Sequence, residues 1–293
     1  MDPHAAPVDR CQMFRSTVSP PGWRAPPGAT DCHFHIFGPQ ARYPFSPGRA
    51  YTPPQASMAD YAVVTRALGL ERFVVVQPSV YGTDNRCTLD AVAAFGAARA
   101  RAVAVVDDTF DAAALRALHA AGVRGVRFNA VSGNGTPLDQ LATQAARIAP
   151  LGWHLQLYLD GAALPALAPV LAGLPVPVVI DHMGQVATAK GVAHPEFQAL
   201  LRLLGGGRAW VKLCGYRSSA QGFPFADTLE QARALIAAAP ARCLWGTDWP
   251  HPNFLGTMPD DGALFDLLGA WAPAEADRRR ILVDNPAALY EFA

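Results

Sequence analysis

Four side chains that can exchange protons or bind a metal stand in short polar segments after apolar runs. His33 and His35 are separated by one residue, His182 follows an aspartate, and Asp248 follows a threonine. Residues two apart in an extended chain face the same side, so both early histidines can point in one direction. Imidazoles and a carboxylate suit proton transfer during hydrolysis, and the same four groups are plausible tetrahedral ligands for zinc.

Each of these side chains also has a purely structural interpretation. The His33/His35 pair can consist of two ordinary hydrogen-bonded residues, His182 can stand at the start of a helix, and Asp248 can cap the turn that follows it. The functional interpretation is favoured because the groups stand at equivalent places, the ends of the first, sixth and eighth apolar runs.

Eight short apolar runs alternate with Ala/Leu-rich segments of helical period. The runs are nearly continuous, which is typical of parallel strands buried on both faces. The predicted strands cover residues 29–35, 72–77, 101–106, 123–128, 153–158, 176–181, 209–213 and 243–247. The predicted helices cover residues 58–68, 89–100, 111–120, 138–148, 163–171, 195–204, 229–238, 261–271 and 274–290, the last interrupted at Pro286.

Eight strands, each followed by a helix, predict an α/β fold, a single-domain (β/α)8 TIM barrel over residues 28–293. A doubly wound sheet would ordinarily carry a Gly-rich phosphate loop at the first turn, and the sequence has none there. Residues 1–27 are polar and Pro-rich and are expected to form an N-terminal arm, laid on the surface or partly disordered. In such a barrel, catalytic residues stand at the C-terminal ends of the strands, where the four candidates lie.

Composition narrows the classes of function. The 293 residues carry a formal net charge of zero, which gives no electrostatic reason to expect nucleic acid or an anionic membrane as partner. No apolar run approaches the roughly 18 residues of a membrane span, and no signal peptide is recognisable. Five cysteines without regular spacing favour a reducing compartment. We expect a cytoplasmic monomer or homodimer that acts on a small molecule.

The segments around the candidate residues resemble the amidohydrolase superfamily, which is marked by His-x-His on the first strand and Asp on the eighth. Within it they are similar to the 2-pyrone-4,6-dicarboxylate lactonase family. The resemblance runs from about residue 29 to the C-terminus and is strongest in residues 31–39, 51–53, 122–129, 181–184, 245–253 and 283–286.

The resemblance implies a lactonase that opens a carboxylated lactone or pyrone, as in the catabolism of aromatic compounds. Asp248 would be the general base for the attacking water, and His33, His35 and His182 would polarise the carbonyl. The implied substrate contacts are Tyr51, Ser79, Arg127, Tyr158 and Arg217, with His251 as a nearby supporting residue. The family branch implies no metal or other cofactor. If a metal is bound, a single zinc on His33, His35, His182 and Asp248 is expected.

One segment departs from the family pattern. Residues 130–136 are Gly-rich and lack the second arginine that such lactonases carry a few residues after the fourth strand. Because bidentate Arg–carboxylate contacts contribute strongly to recognition, a smaller lactone, monocarboxylated or hydroxylated, suits this chain better than 2-pyrone-4,6-dicarboxylate.

Three other functions stay open at the level of sequence. A lactone isomerase of the same branch would use a substrate hydroxyl in place of water. A metal-dependent hydrolase or decarboxylase of the superfamily would use the same strand ends. A barrel that only binds a small acid is the non-enzymatic alternative.

Overall fold

The computed structural model describes residues 10–132 and 134–293. In these ranges eight parallel strands form one sheet in the order β1 to β8, and a helix follows each strand. The strands are β1 Thr30–Phe34, β2 Arg72–Val76, β3 Ala100–Ala104, β4 Val123–Asn129, β5 His154–Tyr158, β6 Val178–Ile180, β7 Ala209–Leu213 and β8 Cys243–Trp245. The helices are α1 Met58–Leu68, α2 Arg86–Phe95, α3 Ala112–Ala120, α4 Leu141–Ile148, α5 Leu164–Ala172, α6 Pro195–Gly205, α7 Leu229–Ala238 and α8 Asp261–Trp271. The predicted TIM barrel is confirmed.

Two predicted helices differ from those observed. The helix expected over 89–100 ends at Phe95, because Gly96 takes φ 91°, a backbone conformation that glycine adopts readily. The helix expected over 274–290 is divided into α9 Glu275–Arg279, a π-helical turn Arg280–Asp284, and α10 Asn285–Tyr290. The second residue of α10 is a proline, which has no N–H with which to continue the preceding helix. No helix in the described ranges is both long and apolar enough to cross a membrane.

Apolar side chains pack in two layers. The larger layer fills the space between the strands and the surrounding helices. The smaller one fills the barrel interior with side chains such as Val74, Val103 and Leu244, and includes Tyr290 and Phe292 from the C-terminal segment. Such filling makes a barrel a packed core, which leaves the C-terminal ends of the strands as the place for a site.

The barrel closes between β1 and β8 through the residues that follow β8. The backbone N–H of Asp248 donates to the carbonyl of His33 over 2.7 Å, and that of His35 donates to the carbonyl of Trp249 over 2.8 Å. A Cβ on Gly246 would lie 2.7 Å from the Cβ and from the backbone N of His33. Only glycine therefore permits this approach of the two strands.

The buried carboxylate of Asp31 joins the same two segments. It accepts hydrogen bonds from the N–H and the hydroxyl of Thr247 at 3.1 and 2.6 Å. It also accepts from the N–H of His33 at 2.9 Å and from the hydroxyl of Tyr61 on α1 at 2.7 Å. Burial raises the pKa of Asp31 to about 6, against the lowering effect of these donors. The end of β1 is thereby fixed to the end of β8.

The described part of the N-terminal arm, from Arg10 onward, runs along α8 and the loop after β8. The Trp23 ring stacks on Phe265 with ring centroids 4.0 Å apart. The hydroxyl of Ser19 donates over 3.1 Å to Asp260, the residue that caps α8. Residues 1–9 of the predicted arm lie outside the described residues.

We expect Thr247→Val to reduce the free energy of unfolding by about 1–3 kcal/mol, because the variant removes buried hydrogen bonds without changing side-chain volume. The hydroxyl of Thr247 donates to Asp31 and also accepts from the N–H of Trp249 at 3.0 Å. Urea unfolding measures the change, and Thr109→Val, at an exposed turn, is the matched control, with an expected change within about 0.5 kcal/mol. Equal stabilities for the two variants would contradict this account of the closure.

Candidate active site

The chain turns sharply where β6 and β8 end, and this turn aims two of the predicted side chains inward. His182 has φ 51° and Asp248 has φ 59°, in the left-handed region that residues other than glycine rarely adopt. Both strands are shorter than predicted, ending at Ile180 and Trp245. Strained backbone of this kind often occurs at functional sites.

The structure brings the three histidines and the aspartate together. One carboxylate oxygen of Asp248, Oδ1, lies 3.5 Å from Nε2 of His33 and 3.4 Å from Nε2 of His35. The ring centroids of His33 and His182 are 4.8 Å apart. Within the described residues, Nε2 of His33, Nδ1 of His182 and Oδ1 of Asp248 are buried without a hydrogen-bond partner. Such atoms indicate a place for water or a ligand, because burying unpaired polar groups is costly.

The protonation of His35 follows from its backbone contact. Its Nδ1 lies 2.7 Å from the carbonyl oxygen of Val76, and only a nitrogen that carries hydrogen can donate there. In a neutral imidazole the other nitrogen, Nε2, then has a lone pair. Burial lowers the pKa of His35, and it lowers that of His182 to about 4. Both rings are therefore neutral at pH 7.

The two oxygens of Asp248 have different surroundings. Oδ2 accepts from the hydroxyl of Tyr216 and from Nε of Arg217, each at 2.5 Å, whereas Oδ1 faces the histidines. Burial raises the pKa of Asp248, but the charge of Arg217 and the nearby imidazoles outweigh it and hold the pKa well below its usual value. Asp248 is therefore ionised at neutral pH, and its buried Oδ1 is available to accept a hydrogen bond from a water molecule or a ligand.

Tyr216 was not predicted from the sequence. It precedes Arg217 in the short 3-10 turn Gly215–Arg217, which follows β7 and aims both side chains at Asp248. Tyr216 could have been predicted from its position, because it follows the end of β7 and directly precedes Arg217, a predicted site residue.

A narrow cavity of about 20 Å³ opens above these groups. It holds about one water molecule as it stands. The predicted residues that line it are His35, Tyr51, Arg127, Tyr158, His182, Arg217 and Asp248. The lining residues that were not predicted are Asn129, Ser132, Pro252 and Asn253.

The other predicted residues support this lining from behind. His33 lies beneath the cavity and is fully buried. Ser79 is buried next to the hydroxyl of Tyr51. His251 lies behind Tyr216, with its ring edge-on at 5.1 Å and its Nε2 at 3.2 Å from a carboxylate oxygen of Asp261.

Several side chains of the site have donor atoms close enough together for a metal ion. In the described part of the chain they form three overlapping groups, and none contains all four predicted ligands. The groups are His33, His35 and Asp248; His33, Asp181 and His182; and His182, Cys214 and Asp248. Imidazole nitrogen and carboxylate oxygen are donors that zinc accepts, so the first group suits a zinc ion by donor type.

Comparison with known proteins now identifies the family. A profile of the amidohydrolase family matches residues 30–292. This chain belongs to the amidohydrolase family. A 2-pyrone-4,6-dicarboxylate hydrolase of Comamonas testosteroni is 43% identical to this amidohydrolase over 284 residues, covering 93% of each chain. A D-galactarolactone isomerase of Agrobacterium fabrum is 36% identical over 273 residues, covering 92% of each.

A solved structure has the same fold as this chain. An apo crystal structure from Agrobacterium tumefaciens superposes on this amidohydrolase with a TM-score of 0.84 at 34% identity. The superposition covers 93% of this chain and 99% of that chain. The resemblance inferred from the sequence motifs is thus confirmed at the level of the family.

We expect Arg217→Met to raise the pKa of Asp248, because removal of the adjacent cation destabilises the ionised carboxylate. Carbon-13 NMR of labelled aspartate, followed as pH is lowered, measures this pKa without any assay of activity. Arg86→Met is the control, since Arg86 is exposed and pairs with Asp84. An Asp248 titration that is the same in both variants would contradict the assigned role of Arg217.

Proposed function

We propose that this amidohydrolase hydrolyses the cyclic ester bond of a carboxylated lactone or pyrone, with Asp248 as the general base. The observation that carries the proposal concerns Oδ1 of Asp248. This atom has no hydrogen-bond partner within the described residues, and it lies 3.4 Å from Nε2 of His35, the ring nitrogen that has the lone pair. These two acceptors adjoin a cavity that Arg127 and Arg217 also line, so a base for water and cations for an acid stand together.

A water molecule between the two acceptors donates one hydrogen to Asp248 and the other to His35. As the water oxygen attacks the carbonyl carbon, Asp248 takes a proton. It returns this proton to the ring oxygen when the C–O bond breaks, so that the products are a hydroxyl or enol and a carboxylic acid, which loses the second proton of the water to the solvent and becomes a carboxylate. His33 and His182 are placed to donate hydrogen bonds to the oxyanion, an effect often worth about 3–4 kcal/mol per donor.

The cations of the cavity support an acidic substrate. Within the described residues, Nε of Arg127 is buried without a hydrogen-bond partner and so has a donor to offer a carboxylate. Other polar residues that line the cavity are neutral, in keeping with the missing second arginine: Asn129, Ser132 and Asn253. We therefore propose a substrate with one carboxylate and further hydroxyl or carbonyl groups.

The cations that line the cavity favour a reaction without a metal. Arg127 and Arg217 already offer two positive charges to an anionic substrate, whereas Zn²⁺ would add two further positive charges beside them. If zinc binds, His33, His35 and Asp248 would hold it, and it would polarise the substrate carbonyl.

We expect Asp248→Asn to lower kcat by about 10³-fold or more while substrate affinity changes little, because the variant keeps the shape and loses the base. Purified protein is assayed on 2-pyrone-4,6-dicarboxylate, monocarboxylated γ-lactones and sugar-acid lactones, with binding measured by calorimetry. Asp108→Asn, at an exposed position, is the control. Equal turnover by wild type and D248N, or no turnover of any substrate by the wild type, would overturn the proposal.

Chelation tests the role of metal directly. We expect activity to persist after prolonged dialysis against a chelator, with zinc far below one ion per chain by elemental analysis, because the side chains alone supply base and donors. Loss of activity on chelation, regained with added zinc, would instead support a metal-dependent hydrolase or decarboxylase.

Lactone isomerisation is a second candidate, favoured by the similarity to the galactarolactone isomerase. A substrate hydroxyl would then occupy the place of the water beside Asp248. Assays in ¹⁸O-labelled water separate the two reactions: hydrolysis incorporates the label into an open acid, whereas isomerisation gives a new ring without it.

A further inference from the structure

A lysine lies inside the barrel directly beneath the histidines. Lys212, in the middle of β7, has its whole side chain buried. Barrel interiors are usually filled with bulky aliphatic side chains, and a buried ammonium is costly unless it is paired and hydrogen-bonded. The mechanism above gives Lys212 no direct contact with substrate, so its place in the core calls for another explanation.

The hydrogen-bonding capacity of Lys212 matches its surroundings. An ammonium group has three N–H donors and no acceptor. Its Nζ lies 2.6 Å from Oε1 of Gln156, 3.4 Å from Nδ1 of His33 and 3.7 Å from Oδ1 of Asp181. The amide of Gln156 is held in this orientation, because its Nε2 donates over 3.1 Å to the other oxygen of Asp181. The ammonium therefore has two hydrogen-bonding neighbours, Gln156 and His33, and one ion-pair partner, Asp181.

We infer that Lys212 is a positioning residue that fixes the tautomer of His33. Because the ammonium cannot accept, Nδ1 of His33 accepts from it, and the ring hydrogen stands on Nε2. That Nε2 points at the open Oδ1 of Asp248, 3.5 Å away. Oδ1 of Asp181 also lies near both groups, 3.3 Å from Nδ1 of His33 and 3.7 Å from Nζ of Lys212, so it is the acceptor that a hydrogen on Nδ1 would have instead.

His33 in β1 and His35 directly after it then present opposite groups to the cavity. His33 offers an N–H, suited to a carbonyl oxygen that becomes negative, and His35 offers a lone pair, suited to a water hydrogen. A protonated Nε2 has no lone pair for a metal, so this arrangement also disfavours His33 as a zinc ligand. The kinetic consequence rests on the proposed function, whereas the tautomer is a property of the protein alone.

Nitrogen-15 NMR of the histidine-labelled wild type, with His33 assigned by its absence in His33→Gln, tests the tautomer without substrate. We expect the long-range ¹H–¹⁵N pattern of a ring with hydrogen on Nε2. A pattern with hydrogen on Nδ1 would overturn the inference, whether or not the protein proves to be a lactonase.

Lys212→Met then tests the cause. With the ammonium removed, we expect His33 to donate from Nδ1 to Asp181, kcat to fall about 100-fold, and KM to stay within about three-fold. Lys190→Met is the matched control, since Lys190 lies on the surface and pairs with Glu196. A folded K212M that keeps both the wild-type tautomer and the wild-type kcat would overturn the inference. If K212M does not fold, Gln156→Leu removes the shortest bond to Lys212, and the same two readouts decide.

Discussion

The site depends on the closure of the barrel between β1 and β8, because the closing hydrogen bonds belong to the residues that we propose as the catalytic groups. The backbones of Asp248 and His33 are joined, as are those of His35 and Trp249. The carboxylate of Asp31 adds a second connection between the same segments. The base and the first two histidines therefore form one rigid unit, which keeps proton-transfer distances constant without help from the loops.

This rigidity matters because burial makes every charge at the site strongly dependent on its partner. Oδ2 of Asp248 is held by Tyr216 and Arg217, so the other oxygen is left to face the cavity as an ionised acceptor. The imidazoles are neutral because burial lowers their pKa values, and their tautomers decide which of them donates. Dipoles arranged before the reaction need little reorganisation during it, which is the main source of electrostatic catalysis.

The sequence was enough to predict the barrel, because buried parallel strands leave continuous apolar runs and catalytic groups follow their C-terminal ends. It was also enough to predict that His33, His35, His182 and Asp248 lie close together at one end of the barrel. It could not predict the left-handed backbone at His182, nor the partners of Lys212, since Lys212 and His33 are 179 residues apart in the chain. Such contacts depend on where side chains of different strands point inside the barrel, and local sequence patterns do not predict this.

The residues proposed for substrate recognition and those proposed for catalysis lie in different parts of the fold. The rim of the cavity, made by Tyr51, Ser132 and Asn253, comes from three separate loops. The arm ties two of them together: the N–H of Cys11 donates to Thr52, and the N–H of Asn253 contacts the sulfur of Cys11 at 3.2 Å. Loops of this kind tolerate change, so relatives with different rims can share one rigid floor.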